Sequence, residues 1–412
     1  MFASFSTALS ALDANSTAVD VVGNNLANLN TPGYKENAAY FHDLISTSMG
    51  TSTTQLGFGV AQPMTLRQFT QGAVNSSGGN LDAAIQGDGF FMLRDGSATE
   101  FTRAGSFQVD LSGNLLTPTG EHVQGWTAQN GVVNTGGAIG DIVLPVGSMQ
   151  VPQATQSITL DGNLNAAATA DATSDWSTTI QVCDSLGTSH VLTMDFQKTG
   201  ANTWQYTVTV PASDLQAGGT TQLATGKLIF AQDGTLDPAQ NASPVTFDLT
   251  NLADGAADMK GISWNLYNSD GSGRITQYQA SSAQSANSQD GRAASQLTGV
   301  TMADSGQIIA SYDNGQKAVV AQLAIASIRN PESLVAVGNN NYQVTANTAA
   351  PSAGAPGTGG RGNVVGQALE ASNVDVAKEF TNLIVLQSSY QANAKVVTTV
   401  NQMTQATSNL IT

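Results

Sequence analysis

Residues 1–35, MFASFSTALSALDANSTAVDVVGNNLANLNTPGYK, read as one helix from Phe2 to Leu29 running into a sharp turn at Asn30-Thr31-Pro32-Gly33-Tyr34-Lys35. Apolar residues recur at Phe5, Leu9, Leu12, Val19, Val22, Leu26 and Leu29, with Ser16 in the one polar slot. Steps of four and three residues make a seam that one helix presents to another. Pro32 and Gly33 end the helix, because proline has no amide hydrogen for the ladder and biases its predecessor away from helical geometry. The chain therefore opens with a helix that needs a partner.

The partner is predicted at the other end. Ser372 suits a helix N-cap, Asp375 suits the first turn, and neither Gly nor Pro interrupts the run to Thr412. Val376, Phe380, Leu383, Tyr390, Ala394 and Val397 again step by four and three around a polar Gln387. At 1.5 Å per residue the helices would be about 40 and 55–60 Å long. Helices washed by solvent carry charge on their outer faces, whereas residues 1–34 hold only Asp13 and Asp20, and residues 380–412 only Lys395. Faces of Ser, Thr, Asn, Gln and Ala suit helices covered by neighbouring copies. The alternative is a helical appendage packed on its own globule.

Asn24-Asn25-Leu26-Ala27-Asn28-Leu29-Asn30-Thr31-Pro32-Gly33-Tyr34-Lys35 resembles the signature of the bacterial flagellar rod, hook and hook-associated axial proteins. Leu369 to Asp375, Glu379-Phe380-Thr381, Gln387 and Tyr390 to Asn393 are similar to that family's C-terminal signature. Ala84 to Phe91, Phe101 to Phe107, Gly120 to Trp126, Asn330-Pro331 and Asn340 to Tyr342 resemble its first globular domain. The resemblance implies a self-assembling structural subunit and no enzyme. Its terminal helices would form the inner wall of a helical tube, with the family turn carried by Asn28, Thr31, Pro32, Gly33 and Tyr34. It implies a homo-oligomer, with distal rod, hook-cap and hook-filament junction proteins as neighbours. It also implies passage through the flagellar type III export apparatus without a cleaved signal peptide, and a place outside the cell on the basal body. Phe5 and Leu9 match the short pattern associated with contact at the export gate. The insert at 151–290 sets the chain apart from shorter rod members, and its C-terminal match from longer junction members.

Composition agrees with an assembly protein. The formal charge is -16 and the pI about 4.3 over 412 residues, which argues against a nucleic-acid or anionic-membrane surface. Charged residues make up 11%, against about 25% in ordinary globular proteins. No apolar run of 18 residues predicts a membrane span, and residues 1–12 lack the basic start and apolar core of a signal peptide. Cys183 stands alone in a strand-like run, so no intrachain disulfide is expected, only a small buried residue.

The expected architecture is α+β and multidomain, with paired, coiled-coil-like terminal helices and two nested β-rich domains. Residues 1–33 and 366–412 form the helical assembly domain, 34–79 a connector with a Ser/Thr/Gly-rich stretch at Ser46 to Gly59, 80–150 and 291–365 a discontinuous β domain, and 151–290 an inserted outer β domain. Turn signals at ten-residue intervals mark the first β domain. Alternation of Trp204, Tyr206, Val208 and Val210 marks a half-buried strand in the second.

The sequence carries no constellation of catalytic or ligand-binding residues. His42, His122 and His190 are scattered, with no Cys, Asp or Glu at metal-ligand spacing, so no metal is expected. Gly357-x-Gly359-x-x-Gly362 matches a dinucleotide pattern but follows a Pro/Ala/Ser linker instead of a strand, so no cofactor is expected. Asn268 to Gly273 resembles a calcium loop but lacks its distal glutamate and reads as a turn.

Overall fold

The computed structural model describes residues 2–45, 57–129, 131–147, 149–170 and 176–411. The chain divides into two compact units. One comprises residues 1–146, 298–311 and 316–412, and the other 147–297 with 312–315.

The first unit holds both terminal helices, α1 (Phe2–Ala27) and α2 (Val376–Ile411). They run antiparallel, with Asn25 near the end of α1 beside Glu379 at the start of α2. Helix α1 stops two residues before the predicted Leu29, in a turn closed by the Thr31 amide on the Asn28 carbonyl at 3.2 Å. The cap of α2 also differs from the expectation. Asp375 takes that role, its carboxylate accepting the amides of Ala377 at 2.8 Å and Lys378 at 3.2 Å. Ser372 caps only the turn before it, accepting from the Val374 amide. An aspartate at this point also meets the positive helix end, which a serine cannot match.

The expected connector is partly structured. Asn37–Tyr40 pairs antiparallel with Met64–Arg67, and Asp43–Ile45 with Gly57–Val60. The second ribbon lies on α1, where the Val60 amide donates to the Ser10 hydroxyl at 3.2 Å. Most of the Ser46 to Gly59 stretch lies outside the described residues. The outgoing and returning passages are then sewn together. Val74–Ser76 pairs with Ala368–Glu370, and Ala83–Gln86 with Asn363–Gly366.

Lys317–Leu323, His122–Thr127, Phe90–Asp95, Ala98–Thr102, Asn341–Gln343 and Val335–Gly338 form an antiparallel sheet in that order. Part of its core is aromatic. Phe69 packs edge-on against Phe90 and Tyr342, with ring centroids 5.4 Å apart in each pair.

The second unit is a two-sheet β structure. Trp176–Cys183, Ser189–Gly200, Thr203–Thr209 and Gln222–Ile229 form an antiparallel sheet in chain order. In the other sheet, Ser157–Asn165 pairs in parallel with Met259–Asn265 and with Ile275–Tyr278, and antiparallel with Ala283–Gln289. Trp204, Tyr206, Val208 and Val210 all face inward, as their alternation predicts, into a core shared with Phe196 and Trp264. Cys183 is buried and unbridged, its amide bonded to the Thr155 hydroxyl at 2.9 Å.

Candidate functional site

The sequence proposes one apolar seam on α1, and the structure divides the helix into two faces. Buried against the rest of the unit are Ala8, Ala14, Asn15, Ala18, Val22 and Asn25. Ala8, Asn15, Ala18, Val22 and Asn25 again step by three, four or seven residues, one position away from most of the predicted seam. Small side chains let the two helices approach closely. The larger apolar stripe lies on the other face: Phe5 is 39% exposed and Leu9 53%, while Leu12, Val19, Leu26 and Leu29 are half-buried.

Helix α2 shows the same division less sharply. Of the residues assigned to its seam, Leu383, Ala394 and Val397 are half-buried, as are Leu386 and Asn393. Val376, Phe380 and Tyr390, also assigned to the seam, are exposed, Phe380 at 52%. Periodicity of large apolar residues located a stripe but not the surface that covers it, because alanine and asparagine can line a tighter seam.

The turn motif ties these helices to the β sheet. Asn28 accepts from the Thr31 hydroxyl at 3.2 Å, and the Pro32 carbonyl accepts from the Asn340 amide at 3.2 Å. Gly33 has φ +70°, and its amide donates to the Glu370 carbonyl at 2.8 Å. The Tyr34 hydroxyl donates to the Asn25 side-chain oxygen at 3.2 Å, and the Asn25 amide donates to the Asn37 carbonyl at 2.8 Å and to buried Glu379 at 3.4 Å.

Beneath the turn lies a buried ion triad that sequence reasoning did not assign. Lys35 Nζ donates to Glu370 at 2.6 Å and to the Thr70 carbonyl at 2.7 Å, while Arg103 Nη1 meets the other Glu370 oxygen at 3.2 Å. Burial pushes the Lys35 ammonium below its ordinary range, against the opposing pull of Glu370. Each residue stands within a family motif quoted above; what the sequence could not reveal is that three distant stretches converge on one carboxylate.

A second polar cluster, which sequence spacing did not show, surrounds His190 on the strand Ser189–Gly200. Its Nε2 lies 3.1 Å from Asp184 and its Nδ1 3.1 Å from Asp214, with Asp254 at 3.9 Å. Asp184, His190 and Asp254 also have the mutual spacing of a cation site. Both imidazole nitrogens, however, face carboxylates, an arrangement that a proton satisfies by making each a donor. Burial alone would push His190 down, but the hydrogen bonds and charges of Asp184 and Asp214 hold it above its ordinary value. Asp254 is lowered to about 2, first through a hydrogen bond shared with Asp184 and then by the Ala256 amide.

A histidine raised in the folded state stabilises fully below its unfolded pKa of about 6.5 and loses that contribution as pH rises through the folded value. The second unit should therefore lose stability on the alkaline side of about pH 6.5. Asp254 acts oppositely, its contribution fading as pH falls from about 4 through about 2. Three of the four tryptophans, Trp176, Trp204 and Trp264, lie in this unit, so urea melts followed by their fluorescence report it. His190→Gln should lower the midpoint at pH 6 and flatten its alkaline decline; an unchanged pH profile would contradict the assigned role.

The two residual motifs resolve into turns. Gly357 to Gly362 form a hairpin bend, with the Gly357 amide on the Gly362 carbonyl at 2.9 Å, and the Asn268 amide bonds the Ser272 carbonyl at 2.9 Å. No helix among the described residues is long and apolar enough to cross a membrane.

Weakly charged terminal helices are thus anchored by a buried triad to a β sheet, and no catalytic constellation appears among the described residues. Comparison with known proteins agrees. Residues 5–35 match the flagella basal body rod protein model, 84–165 the flagellar hook protein FlgE/F/G D1 domain, 148–292 the flagellar basal body protein FlaE D2 domain, and 365–410 the flagellar basal body rod FlgEFG protein C-terminal model. Flagellar hook protein FlgE of Treponema pallidum is 33% identical over 98% of both chains, and that of Borreliella burgdorferi 32% over 98% of both. The Escherichia coli K12 hook protein is 30% identical over 98% of this chain and 99% of its own. The crystal structure of Helicobacter pylori flagellar hook protein FlgE2 shares the fold, at TM-score 0.50 and 13% identity over 66% of this chain and 94% of that one. The chain belongs to the flagellar hook protein FlgE family, and its function is that of a structural subunit of the flagellar hook.

Proposed function

We propose that copies of this chain pack through α1 and α2 into the inner wall of the hook tube, with the β units outside. The observation that carries this reading is the division of α1. Its small-residue face is buried within the subunit, while Phe5 and Leu9 remain exposed on a helix with only two charges. Exposed apolar stripes of this kind are covered in a stable assembly. Val376, Phe380 and Tyr390 supply the corresponding open positions on α2, and coiled-coil-like packing between helix pairs closes both.

Bending then arises where outer β surfaces slide on polar contacts around this packed layer. Rod, cap and junction proteins of the same axis abut its two ends. Before assembly the chain travels through the type III export apparatus, where the same Phe5 and Leu9 meet the gate. The use is sequential, because export needs an unfolded segment and packing a folded one.

Deleting residues 380–412 tests the scheme. The expected product is a monomer with both β units folded and no sedimentable polymer at any concentration that assembles the full chain. Polymers of normal morphology from the deleted chain would refute packing through α2.

A further inference from the structure

Residues 1–34 and 380–412 carry three charges, Asp13, Asp20 and Lys395. All three are exposed, and no ion pair joins any of them to another described residue. Their positions exclude pairing across the internal seam. Asp13 and Asp20 each fall two residues before an inward position, Asn15 and Val22, which is about 200° round the helix. Lys395 stands in the same relation to half-buried Val397. The charges on both helices thus project away from the partner within the chain.

The two aspartates are seven residues apart, the repeat of a packing seam, so they form a line on one face of α1. That line flanks the stripe containing Phe5 and Leu9. Neutral helices whose faces are Ser, Thr, Asn, Gln and Ala offer many contacts of similar energy as they slide along one another. One opposite-charge pair singles out a register and penalises the others, as charged and polar positions do in coiled coils.

We infer that Lys395 of one copy pairs with the Asp13 and Asp20 line of an adjacent copy, and that this contact fixes the axial register between neighbouring helix pairs. The occupant is a second copy because the charges are complementary within one sequence and lie beside the open stripe. The inference rests on the terminal helices forming the packed layer of the tube.

The test is the critical concentration for polymerisation of the full-length chain, read by sedimentation. Lys395→Glu should raise it roughly tenfold or more, since a like charge then faces the aspartates in a partly desolvated contact. The effect should shrink in 1 M salt, where the screening length is about 3 Å. Adding Asp13→Lys or Asp20→Lys to Lys395→Glu should restore assembly, and whichever does so identifies the partner. These exposed positions leave the monomer's circular dichroism unchanged. If Lys395→Glu assembles like the natural chain, or neither reversal rescues it, the pairing is overturned. That failure differs from failure of the packing scheme, which would show as assembly surviving loss of residues 380–412.

Discussion

Replacing Glu370 by Gln should destabilise the first unit by about 3–5 kcal/mol, the cost of breaking a buried ion network from one side. The side chains of Glu370 and Lys35 are fully buried and that of Arg103 is 4% exposed. One Glu370 oxygen accepts from both Lys35 Nζ and the Gly72 amide, the latter at 2.9 Å, and the other accepts from Arg103. Glutamine keeps the size but removes the charge and turns an NH2 group toward one of the cations. Lys35 can respond, because burial already favours its neutral form; the guanidinium cannot. A lysine whose folded pKa lies below its unfolded one adds stability as pH rises between the two. Part of the loss in Glu370→Gln should therefore be recovered toward pH 10, opposite in sign to the decline of the second unit above about pH 6.5. Urea-dependent hydrogen exchange on peptides of the first unit measures both effects, and an unchanged midpoint would remove the triad from the stability argument.

Gly33→Ala should cost about 3 kcal/mol or more, although it adds one methyl group. The φ of +70° already penalises any side chain, by about 1–2 kcal/mol. A Cβ there would lie 2.6 Å from the Ala104 nitrogen and 2.6 Å from the Arg103 carbonyl carbon. Both are backbone atoms, so relief requires moving the segment that carries Arg103 into the triad. The control is Gly23→Ala, an exposed position within α1 where a Cβ meets nothing within 4 Å. It should stabilise by about 1 kcal/mol from helix propensity alone. Thermal melts of the two variants should move in opposite directions, and equal shifts would sink the turn argument.

Much of the fold was legible because its signals are local. Pro32 and Gly33 announce the end of α1, uninterrupted helical periodicity announces α2, and the alternation from Trp204 to Val210 announces a buried strand. What escaped depends on separation. Glu370 meets Lys35 across 335 residues and Arg103 across 267, and no spacing rule connects them. His190 gathers Asp214 from a short 3-10 helix and Asp254 from a turn, so its neighbours in sequence showed only Asp184. The inward face of α1 was misjudged for a different reason. Large apolar residues dominate any periodicity, whereas Ala8, Asn15 and Ala18 pack as closely while contributing little to it.

The position of the triad also sets a timetable. During N-to-C synthesis, Lys35 and Arg103 are made early and wait without their carboxylate through the whole second unit. Closing so long a loop costs little more than closing a shorter one, since the entropy grows only with the logarithm of length. The delay is one of arrival. Ala83–Gln86 and Val74–Ser76 likewise wait for Asn363–Gly366 and Ala368–Glu370, so the first unit closes on contacts of long sequence separation, the slow kind. Its last clasp, Glu370, comes six residues before α2 begins at Val376. A truncated chain would thus lack both clasp and packing helix, and a subunit able to join its neighbours is one whose body has already had the means to shut.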